Sequence, residues 1–374
     1  MFQVEPEKSQ LLAERLGDLL IELAQFTNCE NFSRLSEFHG IRRFFQNFPK
    51  LSKEFAPEDR ESNNNLAQTA FALKCAGLQQ RIGTEFNKRG IRFLSFKGIS
   101  LSQLLYGDIA ARAFGDLDLL IAPNSVLETF DLLEKSGLIR TKPANFSIGQ
   151  ELALVRYGKA QNFYCRQSSL SLDLHWKLLS SWIGADILTF TDLWERSQVI
   201  QRAGLTPWRT LGTEDTIVFL ALHGFQDGWS RLKQLLDMAM ALEASRHDWD
   251  EVLRRAGPRA VLVQMAAELV WRLLGVGHVE REHRFYQSDR QALQDWLRMA
   301  THSHTPQRRL LRRHLWSCST GEALVRSFAG LFTPAVDDIQ SVSLPPKLIS
   351  LYPLVRASRL LMKATTRSYG WLSD

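Results

Sequence analysis

Seven consecutive residues, Gly115-Asp116-Leu117-Asp118-Leu119-Leu120-Ile121, constrain the fold more than any other stretch of the chain. Read with a period of two they form a short strand, with Leu117, Leu119 and Ile121 on one face and Asp116, Asp118 and Leu120 on the other. Two carboxylates on one face repel each other unless a cation lies between them or one takes up a proton. A partly hydrated hard cation such as Mg²⁺ is the usual answer. The competing account is an edge strand with a solvated acidic face.

The residues just upstream bear on that choice. Ile91 to Phe96 is an apolar-rich run that fits a buried strand, Lys97-Gly98 breaks it, and Ser100 to Tyr106 has helical texture. A strand, a glycine turn and a helix N-terminus can face an anion with backbone N–H groups. Gly98 permits a close backbone approach, and Lys97, Ser100 and Ser102 are candidate donors. An ordinary strand-to-helix turn would have the same pattern. A third carboxylate follows in Ser169-Leu170-Ser171-Leu172-Asp173-Leu174-His175-Trp176, where polar and apolar residues alternate. On a neighbouring strand, Asp173 would join the pair and take a proton from an attacking hydroxyl, while His175 would orient it or touch a phosphate. The plainer alternative is an Asp173–His175 hydrogen bond on a half-exposed sheet.

Lys97-Gly98, Leu105-Tyr106-Gly107-Asp108, Arg112, Gly115 to Leu120 and Leu172 to Trp176 together resemble a bacterial nucleotidyltransferase family of the DNA polymerase β-like superfamily. The likeness runs from about Asn65 to Ala241. It implies an α+β fold, a small mixed β-sheet nucleotidyltransferase core with helical N-terminal and C-terminal additions. It also implies a transferase using Mg²⁺ or Mn²⁺ and an NTP, with ATP the first to test, on a hydroxyl acceptor that is a small molecule, peptide or polymer. Asp116, Asp118 and Asp173 would be the catalytic and metal-holding carboxylates. Lys97, Gly98, Ser100, Arg112, His175, His223 and Lys233 would meet the nucleotide. One departure stands out: the superfamily usually has Gly-Ser or Gly-Gly at the turn with the D-x-D soon after, whereas here Ile99 follows Gly98 and the gap is longer. That weighs on nucleotide contact at the turn and not on the metal site. The alternative within the same likeness is a non-catalytic nucleotide- or metal-binding partner protein in a biosynthetic pathway.

Four expected segments frame this core: helical residues 1–64, the α/β core 65–212, a helical segment 213–305 that closes the site, and a basic helical tail 306–374. Leu11, Leu12, Leu16, Leu19, Leu20 and Leu23 recur at helical spacing, a polar loop is expected from Phe55 to Asn65, and a long helix from Leu66 to Lys88. Residues 138–164 read as irregular chain leading into strands. Lys233 and Asp237, four apart on an expected helix, would otherwise form a surface ion pair.

Composition narrows the remaining classes. The 374 residues are 45% hydrophobic and 23% charged, an ordinary globular balance. Cys29, Cys75, Cys165 and Cys318 lack metal-ligand spacing and suggest reduced thiols. An acidic N-terminus and the lack of any run of about 18 apolar residues point to a cytoplasmic chain. The formal charge of +6 is concentrated in the tail, at Arg308, Arg309, Arg312, Arg313, Arg326, Lys347, Arg356, Arg359, Lys363 and Arg367. Weak contact with an anionic surface is expected there, with packing of its leucines on the domain as the alternative. Specific nucleic-acid binding is not expected, because no stacking aromatics interleave the arginines. The sequence has no G-x-S-x-G, Walker A or H-E-x-x-H motif.

Overall fold

The computed structural model describes residues 4–27, 29, 31–55, 61–141, 145–181, 183–184, 186–244, 246–277, 285, 287–301 and 332–369. Four short or long helices, α1 (Pro6–Thr27), α2 (Phe32–Phe38), α3 (Arg42–Phe45) and α4 (Pro49–Phe55), precede α5 (Glu61–Lys88). Helix α5 begins earlier than the polar run Asn63-Asn64-Asn65 suggests. Short polar side chains that discourage a helix interior are well tolerated in its first turns.

Five strands then make one sheet: β1 (Phe93–Ser95), β2 (Leu117–Ile121), β3 (Leu138–Arg140), β4 (Ala160–Cys165) and β5 (Leu170–His175). Their order is β1-β2-β5-β4-β3. The β2–β5 pair is parallel and the others are antiparallel. Helix α6 (Gly98–Tyr106) links β1 to β2, α7 (Val126–Lys135) links β2 to β3, and α8 (Ile148–Tyr157) links β3 to β4. Helix α8 lies where irregular chain was expected. Its signal is local: Ser147 and Gln150 form a reciprocal capping box at its start.

The period-two alternation of β2 sorts its side chains between two cores. Leu117, Leu119 and Ile121 enter a core with Ile82, Phe86, Phe130 and Leu133 of α5 and α7. Leu120 joins Leu94 and Phe96 in a second core on the opposite face. Each such aliphatic side chain contributes about 1.5–3 kcal/mol on burial.

That second core is mostly helical. After α9 (Phe190–Glu195) and the hairpin β6 (Gln198–Ile200) and β7 (Trp208–Thr210), the chain forms α10 (Thr213–Gln226), α11 (Leu232–Ala244), α12 (Trp249–Ala256), α13 (Ala260–Leu274) and α14 (Asp289–Thr301). Leu12, Leu16, Leu20 and Phe45 share one core with Val218, Leu222, Met238 and Leu269. The N-terminal helices and the helices after residue 212 are thus packed as one body against the sheet.

Of the basic tail, Arg308, Arg309, Arg312, Arg313 and Arg326 lie outside the described residues. Beyond them come α15 (Val336–Ser341) and α16 (Tyr352–Tyr369). Arg356 and Arg359 both pair with buried Asp338, at 3.3 and 2.6 Å. These two tail charges are engaged inside the fold. The segment also grips α8: Gln150 Nε2 donates to the Ile339 carbonyl at 2.9 Å, and a side chain at Gly149 would collide with the Leu344 carbonyl oxygen.

Candidate active site

The parallel β2–β5 register sets Asp118 beside Asp173 and Leu120 beside His175. Residues level on adjacent strands point to the same face, so both carboxylates and the imidazole converge on the sheet face turned toward the helices. Ligand atoms of Asp118, Asp173 and His175 all lie within 4.8 Å of one another. Asp118 and His175 are buried, and His175 Nε2 stands 3.3 Å from Asp118 Oδ1. On the neighbouring strand β4, Asn162 Nδ2 donates to Asp173 Oδ1. Asp116 sits one residue ahead of β2, partly exposed, and lines the same cleft.

Electrostatics separate these carboxyls. Burial alone would push Asp118 up, but Lys97, His175 and Arg112 outweigh it and hold Asp118 below the usual carboxylate range. Asp116 goes the other way, to about 6, through burial and then the charges of Asp118 and Asp173. Without a cation, Asp116 is the member that takes the proton.

The turn before α6 is tied into the fold at two of its three expected nucleotide-binding residues. Lys97 does reach the cleft, its Nζ 3.9 Å from Asp118 Oδ1 and over the rings of Phe96 and Phe219. Gly98 has φ +48°, and a Cβ there would meet the Asp116 carbonyl oxygen at 3.2 Å. The close approach that needs glycine is therefore to the carboxylate segment's own backbone. Ser100 is fully buried, donating to Ser95 Oγ at 2.5 Å and accepting from Trp208 Nε1 at 2.7 Å. Its hydroxyl is occupied in fixing α6 to β1 and β7, and it does not line the cleft.

Helices α10 and α11 form the opposite wall. Asp237 is buried and accepts from Arg112 Nε at 2.7 Å and from Tyr106 Oη at 2.8 Å. The expected surface pair of Lys233 with Asp237 is replaced by this buried one. Among the described residues, no carboxylate lies within ion-pair distance of the Lys233 ammonium. Burial and then Arg112 push Lys233 down to about 8. His223 Nδ1 lies 3.4 Å from Asp227 Oδ2. Burial, followed by Lys97 and Lys159, pushes His223 well below its ordinary value and keeps the ring neutral.

The turn joining α10 to α11 is bent by Gly228 at φ +66° and Trp229 at φ +50°. A bulky residue in the left-handed region is strained, on the order of 1–3 kcal/mol. Trp229 is held there by full burial against Gly224, where any Cβ would strike its ring. Ahead of α11, His39 Nδ1 accepts from the Leu232 backbone N–H at 3.2 Å and anchors the helix start.

Floor and wall enclose a cleft of about 650 Å³, lined by Lys97, Arg112, Asp116, Asp118, Asp173, His175, His223 and Lys233 among others. Sequence reasoning missed Lys159 and Asp227 in that lining, and Asn162 behind it. The first precedes β4 and the second sits in a glycine turn, so neither belongs to a spaced motif. Asn162 shares a face of β4 with Ala160 and Tyr164, opposite buried Gln161, Phe163 and Cys165, a division the hydropathy of the run does not mark.

A divalent ion fits this floor on two grounds. The donors are two carboxylates and an imidazole on one rigid face, and both His175 nitrogens are buried without a hydrogen-bond partner among the described residues. No described helix is long and apolar enough to cross a membrane. No curated protein matches the chain. A family model does match well over half of it, from the end of α1 into α13. With that match, the chain belongs to the uncharacterised nucleotidyltransferase family whose model covers residues 27–269.

Proposed function

We propose that the protein transfers an NMP from an NTP, with ATP the first candidate, to a hydroxyl acceptor and releases pyrophosphate. The observation that carries this reading is the parallel register of Asp118 with Asp173, which joins carboxylates 55 positions apart on one face of the sheet. Asp118 and Asp173, with Asp116 beside them, would hold Mg²⁺ or Mn²⁺. When bound, the ion supplies Lewis-acid charge at the α-phosphate.

The chain's own groups supply the rest. Lys97 and Lys233 bring positive charge to the two sides of the cleft and offset the triphosphate. Arg112, fixed by Asp237, adds a charge that does not swing. His223 is neutral and suits hydrogen bonding to substrate. Asp173, oriented by Asn162, accepts the acceptor's proton as its oxygen attacks the α-phosphorus. The bond from the α-phosphorus to the bridging oxygen breaks, and that oxygen leaves with pyrophosphate. The cytoplasm, where NTPs are abundant, is the compartment this chemistry suits.

Incubating the protein with α-labelled NTPs, a divalent ion and a native lysate tests the reading. A labelled species that forms with the parent and not with Asp118→Asn supports it and identifies the acceptor. Tight NTP binding without any labelled product would favour the non-catalytic binding protein instead.

A further inference from the structure

His175 stands where an oxygen-only magnesium site would have no use for it. Two ligands at right angles around an ion with bonds of about 2.0–2.2 Å are about 3 Å apart, and two on opposite sides about 4.2 Å. The 3.3 Å from His175 Nε2 to Asp118 Oδ1 falls between those two separations, and Asp173 offers a third ligand atom within 4.8 Å of both. Neither ring nitrogen has a hydrogen-bond partner among the described residues. His175 is 6% exposed, so water does not satisfy it freely. Coordination would give the nitrogen that faces the carboxylates the partner it lacks.

The surroundings hold the ring in that pose. Phe96 packs edge-on at 5.1 Å, and the β2–β5 pairing fixes the backbone beneath it. Asp173 is oriented in turn by Asn162 from the next strand. A ligand set supported this way by its neighbours is a built site and not a chance cluster.

We propose that His175 is itself a metal ligand, with Asp118 and Asp173, and that the site therefore selects a first-row transition ion over Mg²⁺. This rests on the nucleotidyl-transfer reading for the role of the ion. Mg²⁺ takes oxygen ligands and dehydrates reluctantly, whereas a mixed oxygen and imidazole set binds the first-row divalent ions with an affinity that rises from Mn²⁺ along the series to Cu²⁺.

Mn²⁺ added to the full chain, with and without a non-hydrolysable ATP analogue, tests this by electron spin-echo spectroscopy. The expected spectrum carries ¹⁴N modulation from a coordinated imidazole. His223→Gln should retain that modulation and His175→Gln should lose it. Calorimetry should show Mn²⁺ binding the parent at least about tenfold more tightly than Mg²⁺, a preference that His175→Gln narrows. Mn²⁺ bound without ¹⁴N modulation in the parent would overturn the proposal and leave the nucleotidyltransferase reading standing. Failure of any divalent ion to bind in either condition would overturn both. The parent spectrum decides the matter even if His175→Gln does not fold.

Discussion

The two sides of the cleft handle buried charge in opposite ways. On the wall, Asp237 is matched by Arg112 and Tyr106, so its charge is satisfied within the fold. On the floor, Asp116, Asp118 and Asp173 crowd together with fewer direct partners, and Asp116 rises to about 6 as a result. Removing one member of a matched buried pair strands its partner at a large cost, while removing a charge left for a ligand strands nothing inside the fold. The Asp237 cluster of the wall is therefore architecture and the floor is chemistry, a division that substitution can break.

The largest effect should come from the floor. Asp118→Asn and Asp173→Asn should each lower NMP transfer by about a hundred- to a thousandfold or more, read as pyrophosphate release, with circular dichroism unchanged. Asp116→Asn should also abolish useful turnover. Parental rates in either of the first two variants would remove the floor from the mechanism.

On the wall the same kind of change should unfold the protein. Asp237→Ala strands Arg112 and Tyr106 in a buried setting and should cost about 3–5 kcal/mol in denaturant titration. If Asp237→Ala melted like the parent while losing activity, the wall would belong to the catalytic machinery and the contrast would fail.

Metal-free stability against pH should then show opposite signs on the two sides. Asp116 has a folded value near 6, above its ordinary 3.8, so its protonation favours the folded state. Its contribution is fully present below about pH 4 and lost as the pH rises through 6, on the order of 3 kcal/mol. Asp116→Asn should remove that slope and leave the metal-free protein more stable than the parent at pH 7. His39 is lowered to about 4 by burial and Arg231, so its contribution is present above about pH 6.5 and lost as the pH falls through 4. His39→Gln should flatten the acid side. Urea titrations of the three proteins between pH 4 and 8 check both signs.

The floor was also the more legible side. Alternation in Leu117 to Ile121 and in Leu170 to His175 fixes which residues share a face, and strand register does the remainder. The wall depends on contacts across more than a hundred residues, such as Tyr106 and Arg112 with Asp237, which no spacing rule encodes. Lys233 and Asp237 show the limit: helical spacing put them on one face, and the better partner of Asp237 came from the loop after α6. Gly98 and Ser100 show another. Both were marked by local pattern, yet a backbone carbonyl and a pair of buried side chains use them first.

The smallest effect concerns the Lys233 ammonium on the wall. Lys233→Met keeps most of the stem and should weaken NTP binding about tenfold by calorimetry, with little change in melting temperature. Unchanged affinity would return Lys233 to the architecture.

The central claim is cleavage between the α- and β-phosphates on the sheet floor. ATP labelled separately at the α- and γ-phosphorus, incubated with the parent, a divalent ion and the lysate that contains the acceptor, measures it directly. The account predicts α-label on the acceptor and γ-label in pyrophosphate, both lost in Asp118→Asn; γ-label on the acceptor, or released as inorganic phosphate, would contradict it.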